Sequence, residues 1–308
     1  MAGSGGEHGE STGAILAAFL ANMGIAVIKF AGFLVTGASS LLAESIHSVA
    51  DSSNQGLLFW GGRAAQQAPT ELHQFGYGRN RYFWSFIVAA VLFSVGGLFS
   101  IYEGVHKIQH PEQLDSPIVA FAILGLAMVF EGFALRTAIR HATPHRGSRS
   151  WPEYIRRSRS PELPVLLMED SAALIGLSFA LIGVTLSEVT GNAVWDGIGT
   201  LGIGALLVCV AAVVAVEMKS LLLGESATPE DMNKVEAALE GADGVVSVIH
   251  LLTQHLSPDE LLVAVKAEFD PALTVPELAA AINDCEARVR EAVPIAERIY
   301  IEPDIRRA

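Results

Sequence analysis

The sequence predicts an α-helical membrane protein: six spanning helices followed by a small two-layer αββαβ domain. Three observations carry that prediction. Half of the 308 residues (51%) are hydrophobic, with a mean hydropathy of +0.42. Only 17% are charged, where soluble domains carry about a quarter. The charge is also unevenly placed, because residues 225–308 hold 17 acidic and 7 basic side chains while the preceding 224 hold 16 and 13. A wholly soluble protein, a disordered chain and a nucleic-acid binder with a basic face are excluded. Two cysteines, Cys209 and Cys285, exclude a disulfide scaffold and a Cys-rich metal site.

An apolar run of about 20 residues crosses the hydrocarbon layer as a helix. Six such runs lie near 14–35, 41–62, 82–102, 118–135, 163–186 and 193–216, with Gly37, Pro111, Pro161, Pro164 and Gly191 marking the joints. Residues 1–12 are Gly-rich, acidic and free of Lys and Arg, which predicts a flexible segment and neither a signal nor a transit peptide. The domain boundaries expected are therefore 1–12, 13–222 and 223–308. Arg63, Arg79 and Arg81 lie in the second connection, and Arg136, Arg140, Arg146, Arg149, Arg156, Arg157 and Arg159 lie in the fourth, against Lys107 alone on the other side. Positive charge stays inside, so both termini are expected in the cytoplasm, in the cytoplasmic membrane if the source is a bacterium.

The tail changes period. Thr228-Pro229-Glu230-Asp231 and Thr274-Val275-Pro276-Glu277 have the spacing of capping boxes. The first opens a helix with Met232, Val235 and Leu239 on one face; the second opens one with the stripe Leu278, Ile282, Cys285 and Val289. Residues 245–253 are β-rich, and 261–269 alternate, with Val263, Val265, Ala267 and Phe269 on one side. Residues 298–302 form a last short strand.

Ionisable groups inside a span are costly and point to function. The second span holds Glu44, His47, Asp51 and Asn54 at offsets of 3, 4 and 3, all on one helical stripe. His47 and Asp51, one turn apart, offer an imidazole nitrogen and a carboxylate oxygen to one ion, a donor pair suited to Zn²⁺ or another borderline divalent metal. The fifth span holds Glu169 and Asp170, which as neighbours point about 100° apart, so that one faces the second helix. The competing reading is that His47 and Asp51 only hydrogen-bond to each other. Glu44, nearer a helix end, is read equally as functional or as a snorkelling acid, and Asn54 as a helix–helix hydrogen bond before a ligand. Lys29 is left to pair with an acid or to snorkel, Asp196 to be a solvated acid at a helix end, and Glu131 to lie near the cytoplasmic surface.

The string from Gly37 to Asp51 (GASSLLAESIHSVAD) resembles the second-helix signature of the cation diffusion facilitator family, of the zinc-transporter type. So do His73-Gln74-Phe75-Gly76-Tyr77-Gly78-Arg79, Asn22 and Lys29, Leu222-Leu223-Gly224-Glu225 and Ile301-Glu302-Pro303. The resemblance covers nearly the whole chain. It implies a ferredoxin-like tail and a homodimeric metal/proton antiporter that works by alternating access, with the divalent metal as substrate, no cofactor and no enzymatic activity. It further implies the ligand set His47, Asp51 and Asp170. The family repeats His-x-x-x-Asp in helix five, but Leu166 stands at the histidine position here, which suggests a divergent branch. The fourth ligand is then water, Glu169 or Asn54, with Glu169 the first candidate. A non-transporting metal sensor and an intramembrane metal hydrolase are the rival functions; the hydrolase lacks a His-Glu-x-x-His pair and any Ser/His arrangement. His73 matches a ligand of a regulatory site, though Tyr77 replaces a second histidine and Glu71 reads as a surface acid. His250 and His255 are expected as solvated histidines before metal ligands.

Overall fold

The computed structural model describes residues 22–305. They divide into two compact units, one of helices from 22–61, 84–155 and 161–217, and one from 62–83, 156–160 and 218–305. The expectations for residues 1–21 lie outside the described residues.

The helical unit is built from α1 (Asn22–Thr36), α2 (Ser39–Ala65), α3 (Asn80–Gln109), α4 (Pro117–Arg146), α6 (Glu162–Thr190) and α7 (Val194–Leu223), with a short α5 (Trp151–Arg157) after α4. Four of these, α3, α4, α6 and α7, are each long and apolar enough to cross a membrane. Helix α2 has 27 residues, about 40 Å at 1.5 Å per residue, but its interior face carries serines and ionisable groups. Helix α4 continues to Arg146, well past the apolar run, and its end is closed by the Arg146 guanidinium stacked 4.5 Å from the Trp151 ring centroid. Pro164, read as a joint, sits in the first turn of α6, where a missing N–H breaks no helical bond. The core is aliphatic and small, with Leu41, Leu92, Leu124, Leu177 and Leu207 separated by alanines. Helices α3 and α7 touch backbone to backbone: a Cβ on Gly104 would come within 2.8 Å of the Leu201 nitrogen, and one on Gly197 within 3.0 Å of the Gly104 carbonyl. Such glycine contacts let helices pack where lipid supplies no hydrophobic force.

One end of this unit is tied by polar contacts. Asp196, expected as a solvated acid, is fully buried. Its Oδ2 accepts from the Ser39 N–H at 2.8 Å and the Ser39 hydroxyl at 3.0 Å, and its Oδ1 accepts from the Ser40 hydroxyl at 2.5 Å. A carboxylate from α7 thus caps the N-terminus of α2, satisfying orphan amides and opposing the helix dipole. The sequence concealed this because the cap comes from 157 residues away. Beside it the Lys107 ammonium donates to the Gly37 carbonyl at 2.8 Å, and the Asp115 N–H donates to the Thr36 carbonyl at 3.0 Å.

In the second unit the order is α8 (Pro229–Glu240), β1 (Val245–Ser257), β2 (Glu260–Phe269), α9 (Val275–Ala292) and β3 (Arg298–Pro303), the αββαβ order expected. The sheet order is β1-β2-β3, antiparallel between β1 and β2 (Thr253↔Val263) and parallel between β2 and β3 (Val263↔Ile299). The inward residues of β2, Leu261, Val263, Val265 and Ala267, pack with Val235 and Leu239 of α8 and Cys285 and Val289 of α9. The Thr274 box forms, its backbone N–H reaching the Glu277 carboxylate at 2.8 Å. At Thr228 only half of the pattern forms: the hydroxyl oxygen accepts from the Asp231 N–H, and the Asp231 carboxylate accepts a hydrogen bond from the hydroxyl in place of one from a backbone amide. Arg81 pairs with Asp259 at 2.6 Å and Arg159 pairs with Glu225, so basic residues of the connections are ion-pair partners within this unit.

Replacing Asp196 by Ala should leave the first turn of α2 uncapped and destabilise the protein by about 3 kcal/mol. A thermal melt of the detergent-solubilised chain should fall by roughly 5–10 °C, and Asp196→Asn, which keeps one acceptor, should fall less.

Candidate metal centre

The stripe predicted on α2 forms. Glu44, His47 and Asn54 are buried, and Asp51 is the most exposed of the four. The ring of His47 lies with Nε2 3.5 Å from Asp51 Oδ2, too long for a good hydrogen bond. Among the described residues neither ring nitrogen of His47 has a hydrogen-bond partner, and neither has Oδ1 of Asp51. Buried donor and acceptor atoms are almost always satisfied, so a set of them left bare on one stripe is a reason to look for a ligand. Midway along α3 the chain makes a π-helical turn, Leu92–Leu98, a distortion frequent at functional sites. It brings Gly96 against the imidazole, where a Cβ would stand 4.0 Å from His47 Nδ1.

A cavity of about 640 Å³ opens beside this stripe, lined by Asp51 from α2, Glu131 from α4 and both Glu169 and Asp170 from α6. Neighbouring residues on a helix point about 100° apart, yet Glu169 and Asp170 both line this cavity. Glu169 also accepts from Asn54 Nδ2 at 2.7 Å, which joins α2 to α6. Leu166, at the position where the family pattern has a histidine, lines the same cavity and presents only carbon to it. Asp51 lies within electrostatic reach of Glu169, Glu131 and Asp170. Among the described residues, no three His, Cys, Asp or Glu side chains are close enough to grip one ion: Asp51, Glu131, Glu169 and Asp170 line the cavity, and His47 is not among its lining residues.

Lys29 is the group whose role the sequence left open. Its ammonium is fully buried, 2.8 Å from Ser48 Oγ, 3.1 Å from Glu44 Oε2 and 3.6 Å from Glu131 Oε1. Glu44 is therefore no snorkelling acid, and Glu131 belongs to the cavity and the lysine. The carboxylate of Glu44 occupies the space over Gly176 of α6, where a Cβ would stand 2.6 Å from Oε1. The signal available in the sequence was the lysine itself, a cation inside a span that needs a buried acid.

Residues 15–223 match the cation efflux transmembrane domain, and 227–304 match the cytoplasmic domain of cation efflux proteins. The chain belongs to the cation diffusion facilitator family. It is a family of membrane transporters, not enzymes. The human relative named proton-coupled zinc antiporter SLC30A9, mitochondrial, is 32% identical over 244 residues, which is 79% of this chain and 43% of that protein. Metal tolerance protein C4 of Arabidopsis thaliana is 28% identical over 268 residues, 86% of this chain and 59% of the relative. The magnetosome protein MamB of Paramagnetospirillum magneticum is 23% identical over 288 residues, 93% of this chain and 92% of the relative. The chain thus spans less than half the length of the human relative.

The remaining candidates separate. His73 and Glu71 are exposed, and the His73 ring packs edge-on to Tyr77 with centroids 4.7 Å apart. His250 is exposed, as expected, whereas His255 is buried, with Nδ1 3.2 Å from the Ser257 carbonyl. Burial pushes the His255 imidazole below its ordinary pKa, assisted by the Arg159 charge and opposed by the Ser257 carbonyl, Asp231 and Glu225. A base with a depressed folded pKa binds more protons when unfolded. Its contribution to stability is therefore complete above about pH 6.5 and is lost as the pH falls through and below that value. Protection of the β1 amides in the full-length chain, after correction for the intrinsic pH dependence of exchange, should fall as the pH drops below about 6.5, and His255→Phe should remove most of that fall.

Proposed function

We propose that this chain exports a divalent cation from the cytoplasm, zinc by the chemistry of its donors, in exchange for protons. The observation that carries the reading is the buried His47–Asp51 pair, with its bare nitrogens and oxygen, beside a cavity lined by Asp51, Glu131, Glu169 and Asp170. A neutral imidazole with carboxylates suits a borderline dication such as Zn²⁺. That the human relative is named a proton-coupled zinc antiporter supports both the metal and the proton.

In the proposed cycle His47, Asp51 and Asp170 are the ligands, and Glu169 completes the set by turning from Asn54 toward the metal. Each ligand must be deprotonated to bind, so metal entering displaces protons and protons arriving from the other side displace metal. Drawing the α2 and α6 donors together around the ion closes the cavity on one side, and rocking of the helices opens the same site to the other. The Arg-rich second and fourth connections support a cytoplasmic location for both termini. The tail, through its match to the family's cytoplasmic domain, supports a homodimer, and its acidic surface raises the local concentration of cations.

The reading is tested in proteoliposomes under an imposed proton gradient, following Zn²⁺, Mn²⁺, Fe²⁺, Co²⁺ and Cd²⁺ in parallel. His47→Ala and Asp51→Ala should each reduce zinc flux to background while the protein still elutes as a folded dimer. Flux at the wild-type level in both variants rejects the site, and no flux of any cation in the parent chain favours a sensor.

A further inference from the structure

We propose that Lys29 is a tethered cation: its ammonium permanently fills a second cation position beside the transport site, so that the chain carries one mobile ion where its oxygens would accept two. The inference rests on the reading of His47 and Asp51 as ligands only for what "beside" means, since the second position is defined by other atoms. Three oxygens from two helices converge on one buried nitrogen, Ser48 Oγ at 2.8 Å and Glu44 Oε2 at 3.1 Å from α2 and Glu131 Oε1 at 3.6 Å from α4. A hydroxyl and two carboxylates are hard oxygen donors of the kind that bind metal cations, and here they hold an ammonium brought in by α1. A fourth oxygen, Oε1 of Glu44, is buried without a hydrogen-bond partner among the described residues and abuts Gly176 of α6. The cage therefore has more acceptor capacity than the lysine uses.

The two positions lie on adjacent tracks of one helix. Glu44 and Ser48 are one turn apart and hold the ammonium, while His47 and Asp51 are one turn apart on the neighbouring track; Asp51 and Ser48 both line the cavity. Glu131 belongs to both, lining the cavity and contacting Lys29. A fixed positive charge there attracts the carboxylates that would otherwise recruit a second dication, and its own field disfavours one. A mobile ion in the same place would have to be loaded and released in every cycle; a lysine needs neither.

The test counts ions on the full-length protein in detergent, with saturating Zn²⁺ or ²²Na⁺ as the probe after equilibrium dialysis. Lys29→Gln should bind one more cation per chain than the wild type, Lys29→Arg the same number as the wild type, and the Lys29→Gln/Glu44→Gln double variant should lose the added ion. Equal counts for both probes in Lys29→Gln and the wild type overturn the proposal. His47→Ala/Asp51→Ala in the Lys29→Gln background separates the two readings. Loss of the first ion with the added one retained supports both, while a wild type without bound zinc rejects the transport site and leaves the difference between Lys29→Gln and wild type to decide the tethered cation. If Lys29→Gln does not accumulate as folded protein, recovery of the folded dimer by added zinc or sodium supports the cage, and failure of both to restore it overturns the cage.

Discussion

A buried ammonium held between two carboxylates organises the helical unit. Lys29 has no access to water, and removing an isolated charge from water costs many kcal/mol. Its position is sustained only because Glu44, Ser48 and Glu131 converge on it. That requirement ties α1 to α2 and α4 at the level of His47, and it fixes which face of α2 turns inward. Once that face is fixed, His47, Asp51 and Asn54 follow, because they lie on the same stripe. The space for the Glu44 carboxylate is supplied by the absence of a side chain at Gly176, so α6 is brought in close by the same interaction.

The unit is built unequally along its length. At the junction of α1 with α2 and of α6 with α7, polar groups are matched: Asp196 caps α2, Lys107 holds the Gly37 carbonyl, and α3 and α7 touch through glycines. Around Asp51, residues of α2, α4 and α6 line a cavity that carries four acids, Asp51, Glu131, Glu169 and Asp170. A region of matched polar contacts and a cavity lined by four acids are thereby placed in one bundle.

The family assignment and the local chemistry bear on different questions. Matches over 15–223 and 227–304 establish a cation efflux protein. They do not explain Leu166, which presents carbon where a nitrogen donor was expected, nor the two adjacent acids of α6 that share its cavity. Glu169 is held by Asn54 in this conformation.

What the sequence determined by itself was whatever depends on periodicity and on the cost of polar groups in lipid. The αββαβ order of the tail, the inward face of β2 and the α2 stripe could all be read because spacing alone decides which residues share a face. The polar groups that matter inside the helices could be named for the same reason. What only the tertiary structure decided was the partner of each. Asp196 reaches Ser39 and Ser40, 157 and 156 positions upstream, Lys29 chooses Glu44 and Glu131, and His255 is buried where a solvated ring was expected. A side chain's partner depends on the rotation and crossing of whole helices, set by packing between segments distant in the chain, and no local pattern encodes that.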